Sequence, residues 1–276
     1  MDLTNINDLK LALKISGHSA KKGLGQHFLV DKESLDKVIE AGELASTDTV
    51  IEIGPGLGVM TTKLTELARK VYAVELDDKL AALLENDKPE NLEVIKKDVM
   101  QLNLNDFPKG YKVVANIPYY LTSAIFRLFL SADNRPKLMS VLIQKEVAER
   151  ITAKPGNMSI LALSVQYYGL PQYVYTVGKD KFWPTPKVDS AVLKVDVFEK
   201  PAFEADQHKL FRLIKAGFGE KRKMLKNSLA GGLKLDVSDA ANLIEDSQLP
   251  PNSRAQELAL GDWERLYRLA IKKNYI

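Results

Sequence analysis

Val50-Ile51-Glu52-Ile53-Gly54-Pro55-Gly56-Leu57-Gly58 is the stretch whose reading decides the fold. A short apolar run stops at a glycine loop, and a helix to about residue 68 follows it. Strand, glycine turn and helix in that order mark the place where open α/β sheets bind ligands. Glycines at such a turn let the backbone approach a ligand closely and adopt positive φ.

The pattern repeats downstream. Val71-Tyr72-Ala73-Val74 is a second strand ending at Glu75, and Asp77 is placed to cap a helix carrying Leu80, Leu83 and Leu84. Residues 92–95 form a third strand ending near Asp98, and 113–115 a fourth, broken by Asn116-Ile117-Pro118-Tyr119. A helix with Ile125, Leu128 and Phe129 leads to a fifth strand at 138–143. This alternation predicts an α/β domain, a Rossmann-like parallel sheet with helices on both faces. A helix from about Ser159 and two antiparallel strands at 173–177 and 191–197 complete it.

Upstream, an amphipathic helix within residues 1–20 sets Leu9, Leu13 and Ile15 on one side, before a basic, glycine-containing loop and a helix over 33–40. Glu199-Lys200-Pro201-Ala202-Phe203-Glu204 is polar and without period, so the boundary falls there. Residues 1–200 form the α/β domain. Residues 201–276 form a small all-helical domain, with helices at 210–218, 223–230, 238–245, 252–258 and 263–271.

The composition is that of a soluble globular protein, 45% hydrophobic and 27% charged, with a formal charge of only +3. Any nucleic-acid surface must therefore come from local clustering. The absence of cysteine removes disulfides, thiolate metal sites and thiol catalysis. No long apolar run suggests an export signal or membrane span, and a cytoplasmic location is expected.

The loop's followers carry the chemistry. Glu75 stands about twenty residues beyond it, where a carboxylate accepts bonds from ribose hydroxyls. Asp98 is placed either to bind an adenine amine or simply to cap a turn. The Gly-x-Gly-x-Gly spacing of Gly54, Gly56 and Gly58 departs from the dinucleotide fingerprint. Glu52 adds a negative charge that suits a cationic or zwitterionic ligand better than a pyrophosphate. That attraction is worth roughly 1–4 kcal/mol over a few ångströms. S-adenosylmethionine fits this description, and a dinucleotide oxidoreductase is a distant alternative. At the end of the fourth strand, Asn116 offers a side-chain oxygen, Pro118 a carbonyl expected to be free of the ladder, and Tyr119 a flat ring. Two acceptors and a ring suit a flat heterocycle bearing an exocyclic amine, and the neighbouring Tyr120 is expected to be structural.

With glycine loop, Glu75, Asp98 and Asn116-Ile117-Pro118-Tyr119 in this order, the chain resembles S-adenosylmethionine-dependent adenine-N6 methyltransferases of class I. It is most similar to the rRNA adenine dimethyltransferase family, in its small-subunit (KsgA-type) branch. Further blocks carry the likeness: Gly25-Gln26-His27-Phe28-Leu29-Val30-Asp31, Gln144-Lys145-Glu146-Val147-Ala148-Glu149-Arg150, Phe182-Trp183-Pro184-Thr185-Pro186-Lys187-Val188-Asp189-Ser190, and residues 218–229. The resemblance implies cofactor contacts at His27, Leu29, Gly54, Gly56, Glu75, Asp98 and Asn116. It also implies a target base flipped between Tyr119 and Phe182, with no metal required.

The implied reaction is dimethylation of two adjacent adenosines in a hairpin near the 3′ end of small-subunit (16S) rRNA. The implied partner is a 30S assembly intermediate, met by a monomer and without a membrane. An Erm-type large-subunit methyltransferase and an assembly factor acting mainly by binding are the alternatives. Lys215, Lys221, Arg222, Lys223 and Lys226 cluster around a glycine turn, a pattern that serves RNA or merely a solvated face. Lys21, Lys22, Lys145, Arg150, Lys179, Lys181 and Lys187 extend the set of candidate phosphate contacts.

Overall fold

The computed structural model of the protein describes residues 1–20, 25–86, 88–220 and 223–276. Lys21, Lys22, Lys221 and Arg222, four of the expected RNA contacts, lie outside the described residues. The strands are β1 Phe28–Leu29, β2 Thr49–Ile53, β3 Lys70–Glu75, β4 Leu92–Lys96, β5 Lys112–Asn116, β6 Leu138–Gln144, β7 Gly169–Val177, β8 Phe182–Trp183 and β9 Ser190–Val197. The first helices are α1 Ile6–Ile15, α2 Lys32–Ala41, α3 Val59–Leu67, α4 Asp78–Glu85, α5 Thr122–Leu130 and α6 Lys145–Ile151. After them come α7 Ile160–Gln166, α8 Gln207–Gly217, α9 Leu225–Leu233, α10 Val237–Asp246 and α11 Leu260–Lys272.

Seven strands form one sheet in the order β4-β3-β2-β5-β6-β9-β7, and β1 pairs with β8 in a separate ribbon. β4, β3, β2, β5 and β6 run parallel, and β9 lies antiparallel to β6 with Ser190 opposite Gln144. Every residue of β2 is buried, as are the first four of β5 and the first six of β6. Such continuous apolar strands belong to a sheet covered on both faces. The strand order reverses between β2 and β5, so the crevice beyond their carboxyl ends is the expected ligand site.

The chain divides into two compact units, residues 1–148 with 170–199, and residues 149–169 with 200–276. One edge coincides with the polar stretch at Glu199-Lys200. Residues 149–169, which the sequence reading gave to the α/β domain, cluster instead with the helical unit. Their backbone explains why: Gly156 and Met158 N–H both donate to the Gln256 carbonyl, and Ala202 N–H donates to Tyr167. The Tyr167 ring packs edge-on against Phe203 and Phe211, and its hydroxyl donates to the Phe203 carbonyl. The helix expected at 252–258 is only a single 3-10 turn at Ala255–Glu257, closed by the Glu257 carboxylate on Arg254 N–H. Trp263 of α11 is fully buried and stacks on Phe218. Among the described residues no helix is long and apolar enough to cross a membrane.

Candidate active site

A cleft opens at the carboxyl end of the parallel strands in the first unit. Its walls are residues 25–29, the glycine loop, 74–76, 97–99 and 116–121. These segments are the ends of β2, β3, β4 and β5 together with the β1 region, so four strands deliver the expected functional residues to one place.

Gly54, Gly56 and Gly58 all adopt positive φ, at 66°, 61° and 83°. At Gly56 the requirement is double, because a Cβ there would also stand 3.1 Å from the Phe28 ring. Gly56 N–H donates to Glu75 Oε2 at 3.1 Å, and Asp77 N–H donates to Oε1 at 2.8 Å. Glu75 is thereby fixed at the end of β3. Burial pushes its pKa up, against the pull of those two N–H donors. Asp98 caps the turn Val99–Gln101 through Met100 N–H and also lines the cleft. Leu29 is nearly buried and His27 half-buried on the opposite wall.

Glu52 requires a correction. It lies in the middle of the sheet, fully buried, and receives one bond from Thr61 Oγ1 at 2.6 Å. Its other oxygen, Oε1, has no hydrogen-bond partner among the described residues. Burial raises its pKa to about 8; the Thr61 bond opposes this and the neighbouring Glu75 charge adds to it. Burial thus favours the protonated form of Glu52 wherever no cation stands beside it, which qualifies the standing negative charge inferred from its position. A cation brought beside Oε1 would supply the missing partner and favour the carboxylate. The buried orphan oxygen fits a ligand carrying an ammonium group, as S-adenosylmethionine does.

At the end of β5, the Asn116 amide nitrogen donates to the His27 carbonyl at 3.0 Å. Only the NH2 end can bond a carbonyl, so Oδ1 is left as an acceptor on a residue that lines the cleft. His27 is held in turn. Its Nδ1 lies 2.6 Å from the Pro184 carbonyl and must carry the proton, and its ring stacks on Tyr119 with centroids 5.8 Å apart. Tyr119 is anchored by Ser190 at 2.8 Å.

Three expectations change here. The Pro118 carbonyl is not free, since it accepts Leu121 N–H at 2.9 Å and closes the 3-10 turn Tyr119–Leu121. The Ile117 carbonyl, one residue earlier, accepts no bond among the described residues, although Ile117 N–H still donates to Leu142. Phe182, expected as the second stacking face, is 2% exposed, belongs to the core and does not line the cleft. Its pairing opposite Leu29 in the β1–β8 ribbon turns it inward. Tyr120, read from sequence as structural, is instead 59% exposed at the cleft's rim.

The candidate phosphate contacts are divided. In the first unit Lys187 and Lys179 are exposed, Lys145 half-buried, and Lys181 paired with Asp31 at 3.0 Å. In the second unit Arg150 and Lys215 are exposed, Lys226 is half-buried, and Lys223 is paired with Glu220 at 2.6 Å. No cluster of metal-ligating side chains occurs among the described residues.

A glycine loop at the sheet's switch point, a carboxylate after the second parallel strand and an acceptor set after the fourth define a Rossmann-like methyltransferase. Comparison with known proteins narrows the class. The model of the family described as ribosomal RNA adenine dimethylase matches residues 17–272, and the chain belongs to that family of S-adenosylmethionine-dependent enzymes. It is 44% identical over 253 residues to ribosomal RNA small subunit methyltransferase A of Dehalococcoides mccartyi, covering 90% of this chain and 87% of the relative. The protein of the same name from Clostridium botulinum is 38% identical over 256 residues, covering 89% and 92%. Among solved structures, a dimethyladenosine transferase from Plasmodium falciparum is similar at TM-score 0.79 and 27% identity, over 89% of this chain and 98% of that one. The 23S rRNA methyltransferase ErmE is similar at 0.71 and 26%, over 87% and 98%.

Proposed function

We propose that this rRNA adenine dimethyltransferase modifies the N6 amines of two adjacent adenosines in a hairpin near the 3′ end of small-subunit rRNA. Its substrate is a 30S assembly intermediate in the cytoplasm, and it acts as a monomer. The observation that carries the chemistry is the Asn116 amide on the cleft wall, tethered through its nitrogen to the His27 carbonyl so that Oδ1 is left as an acceptor.

When bound, S-adenosylmethionine supplies an electrophilic methyl group on a sulfonium. Glu52, Glu75 and Asp98 are the residues that hold it, through ammonium, ribose and adenine respectively, with Gly54, Gly56, His27 and Leu29 shaping the walls. The adenine N6 lone pair is delocalised into the ring and is a weak nucleophile. Asn116 Oδ1 accepts one N6 hydrogen, and the free Ile117 carbonyl is the better placed of the two main-chain acceptors for the other. Together they favour a more tetrahedral nitrogen and stabilise the positive charge that grows on it. N6 then gains the methyl as the sulfur–methyl bond breaks and its electron pair goes to sulfur, leaving S-adenosylhomocysteine, and N6 releases a proton to solvent. For the second transfer only one hydrogen remains, so one of the two acceptor bonds is given up. Tyr119, braced by His27 and Ser190, offers one aromatic face to the flipped base. Exposed lysines and arginines on both units supply sequence-independent phosphate contacts.

The deciding experiment incubates the protein with labelled S-adenosylmethionine and unmodified small or large ribosomal subunits, then maps the label. Two adjacent dimethylated adenosines on the small subunit are expected. Label confined to the large subunit would transfer the chain to the ErmE-like activity.

A further inference from the structure

The family model matches from residue 17, so α1 lies outside the match. Its packing gives it a role. Leu9 and Leu13 are 0% and 3% exposed and form a buried cluster with Phe28, against which Leu57 and Trp183 also pack. Phe28 is the ring that lies over Gly56, and Leu57 sits inside the glycine loop itself. One face of α1 thus stands directly behind two walls of the cleft.

The segment after α1 is pinned to a third wall. His18 N–H donates to the Leu13 carbonyl at 2.9 Å, so the turn is continuous with the helix. The buried His18 ring lies 3.9 Å from Asp77 Oδ1 and 3.3 Å from Gln26 Oε1. Asp77 is the residue whose N–H holds Glu75 Oε1. One residue earlier, the Gly17 carbonyl accepts Lys79 Nζ at 3.2 Å. Helix, turn and histidine therefore meet the back of the β1 strand, the glycine loop and the Glu75 turn together.

We infer that α1 and His18 are positioning elements for the cofactor half of the cleft, pressing Phe28 and the glycine loop into the shape that binds S-adenosylmethionine. This rests on the cleft being the cofactor site. The coupling is mechanical: releasing α1 frees Phe28 from Leu9 and Leu13, and the Phe28 ring is what confines Gly56, whose N–H holds Glu75. Asn116 meets α1 only at second hand, since Phe28 adjoins His27, whose carbonyl holds the Asn116 amide, so the chemical step should feel α1 less than cofactor binding does.

The test uses the full-length protein and S-adenosylhomocysteine as calorimetric probe. Leu9→Ser/Leu13→Ser is expected to raise its Kd about tenfold, in the ordinary range of coupling between sites. The KM for S-adenosylmethionine should rise in parallel, with kcat at saturation and KM for the ribosomal substrate changed less. Leu9→Met/Leu13→Met should restore affinity, and Leu11→Ser on the exposed face should leave it alone. His18→Gln should give a smaller loss of the same kind. If hydrogen exchange shows α1 opened in the serine pair while probe affinity stays at the unaltered protein's value, the inference is overturned. Equal losses in kcat and in both KM values would overturn it too, by showing general disruption. Failure of the unaltered protein to bind the probe at all would instead remove the cofactor reading on which the inference rests.

Discussion

Asp48 and Glu52 stand at opposite ends of one strand, and the sheet treats them in opposite ways. Asp48, just before β2, is buried, yet its carboxylate receives Lys137 Nζ at 2.6 Å, Lys112 Nζ at 2.9 Å and Ala45 N–H at 2.8 Å. Burial alone would raise its pKa, but the hydrogen bonds from the two lysines and the backbone outweigh it and carry it down to about 2. Glu52 receives one hydroxyl, has a second carboxylate for a neighbour, and sits at about 8. The lower end of the sheet is electrostatically complete within the fold. The upper end is left short of one cation, and that shortage is the mark of a binding site. A buried carboxylate with its partners in place serves stability; a buried carboxyl with an unbonded oxygen tends to hold its proton until a cation reaches it.

The largest expected effect falls on chemistry at the upper end. Asn116→Ala should lower kcat by about 10² to 10³, the usual cost of removing one transition-state hydrogen bond. Affinity for S-adenosylhomocysteine should fall only in part. The thermal midpoint should hardly move, because the amide is half-buried and bonds a single loop carbonyl. Single-turnover methylation of small subunits measures the first quantity, and unchanged turnover would refute the acceptor mechanism.

Next comes the complementary change below. Lys112 is 4% exposed and also donates to the Glu43 carbonyl, so Lys112→Met leaves Asp48 with one lysine, the half-exposed Lys137, beside the Ala45 N–H. Removing one partner of a buried pair costs about 3 kcal/mol. Urea unfolding should show that loss, while kcat per folded molecule stays unchanged. The pH dependence has a definite sign. Asp48 titrates lower in the folded state than unfolded, so its contribution is present above about pH 4 and is lost as pH falls toward about 2. Lys112→Met should therefore move the acid-unfolding midpoint upward. If turnover fell with stability intact, the separation of the two ends would be wrong.

The upper end titrates in the other direction. Glu52 has a raised folded pKa, so the folded protein holds its proton over a range where the unfolded chain has lost it. The stability of the cofactor-free protein should decline as pH rises from about 4.5 to about 8. An ammonium seated against Oε1 requires the carboxylate, so binding near pH 7 should release up to one proton. Calorimetry with S-adenosylhomocysteine in buffers of different ionisation enthalpy reads this directly. The release should shrink toward pH 9 and disappear in Glu52→Gln. A proton count of zero at pH 7 in the unaltered protein would mean that Glu52 does not meet the ammonium.

Much of this was legible in the sequence, and the missing parts share a cause. The parallel strands and their order of ligands were readable because each is a local pattern: an apolar run, a glycine or proline stop, a polar residue at the end. Glu75 and Asn116 stand where those patterns place them. The β1–β8 ribbon joins residues 28–29 to 182–183 through strands too short to carry a period, so Phe182 looked like a loop aromatic rather than a core one. Residues 149–169 show a helix but not the partner it chooses, which is set by two bonds to Gln256 far along the chain. The protonation of Glu52 was hidden for the same reason. Its charge was visible, but its burial and the nearness of Glu75 come from β3 lying beside β2.

The smallest expected effect extends the comparison from charges to rings. Tyr111, just before β5, is fully buried, and its hydroxyl donates to the Asn134 carbonyl at 3.0 Å. Tyr120, just beyond the other end of the same strand, is 59% exposed beside the acceptor set. Its ring rests near Gly25, where a Cβ would stand 3.4 Å away, so its inner edge is supported while most of the ring faces solvent. Exposing that much aromatic surface contributes little to folding, whereas stacking on a base is worth about 1 kcal/mol or more. Tyr120→Ala should therefore raise KM for the small-subunit substrate roughly fivefold. Cofactor affinity, kcat and the thermal midpoint should be unchanged, and Tyr120→Phe should behave as the unaltered protein. Because the ring carries no hydrogen bond among the described residues, a drop in thermal midpoint would assign Tyr120 to the packed class represented by Tyr111. An unchanged KM would leave Tyr119 as the sole aromatic face offered to the base.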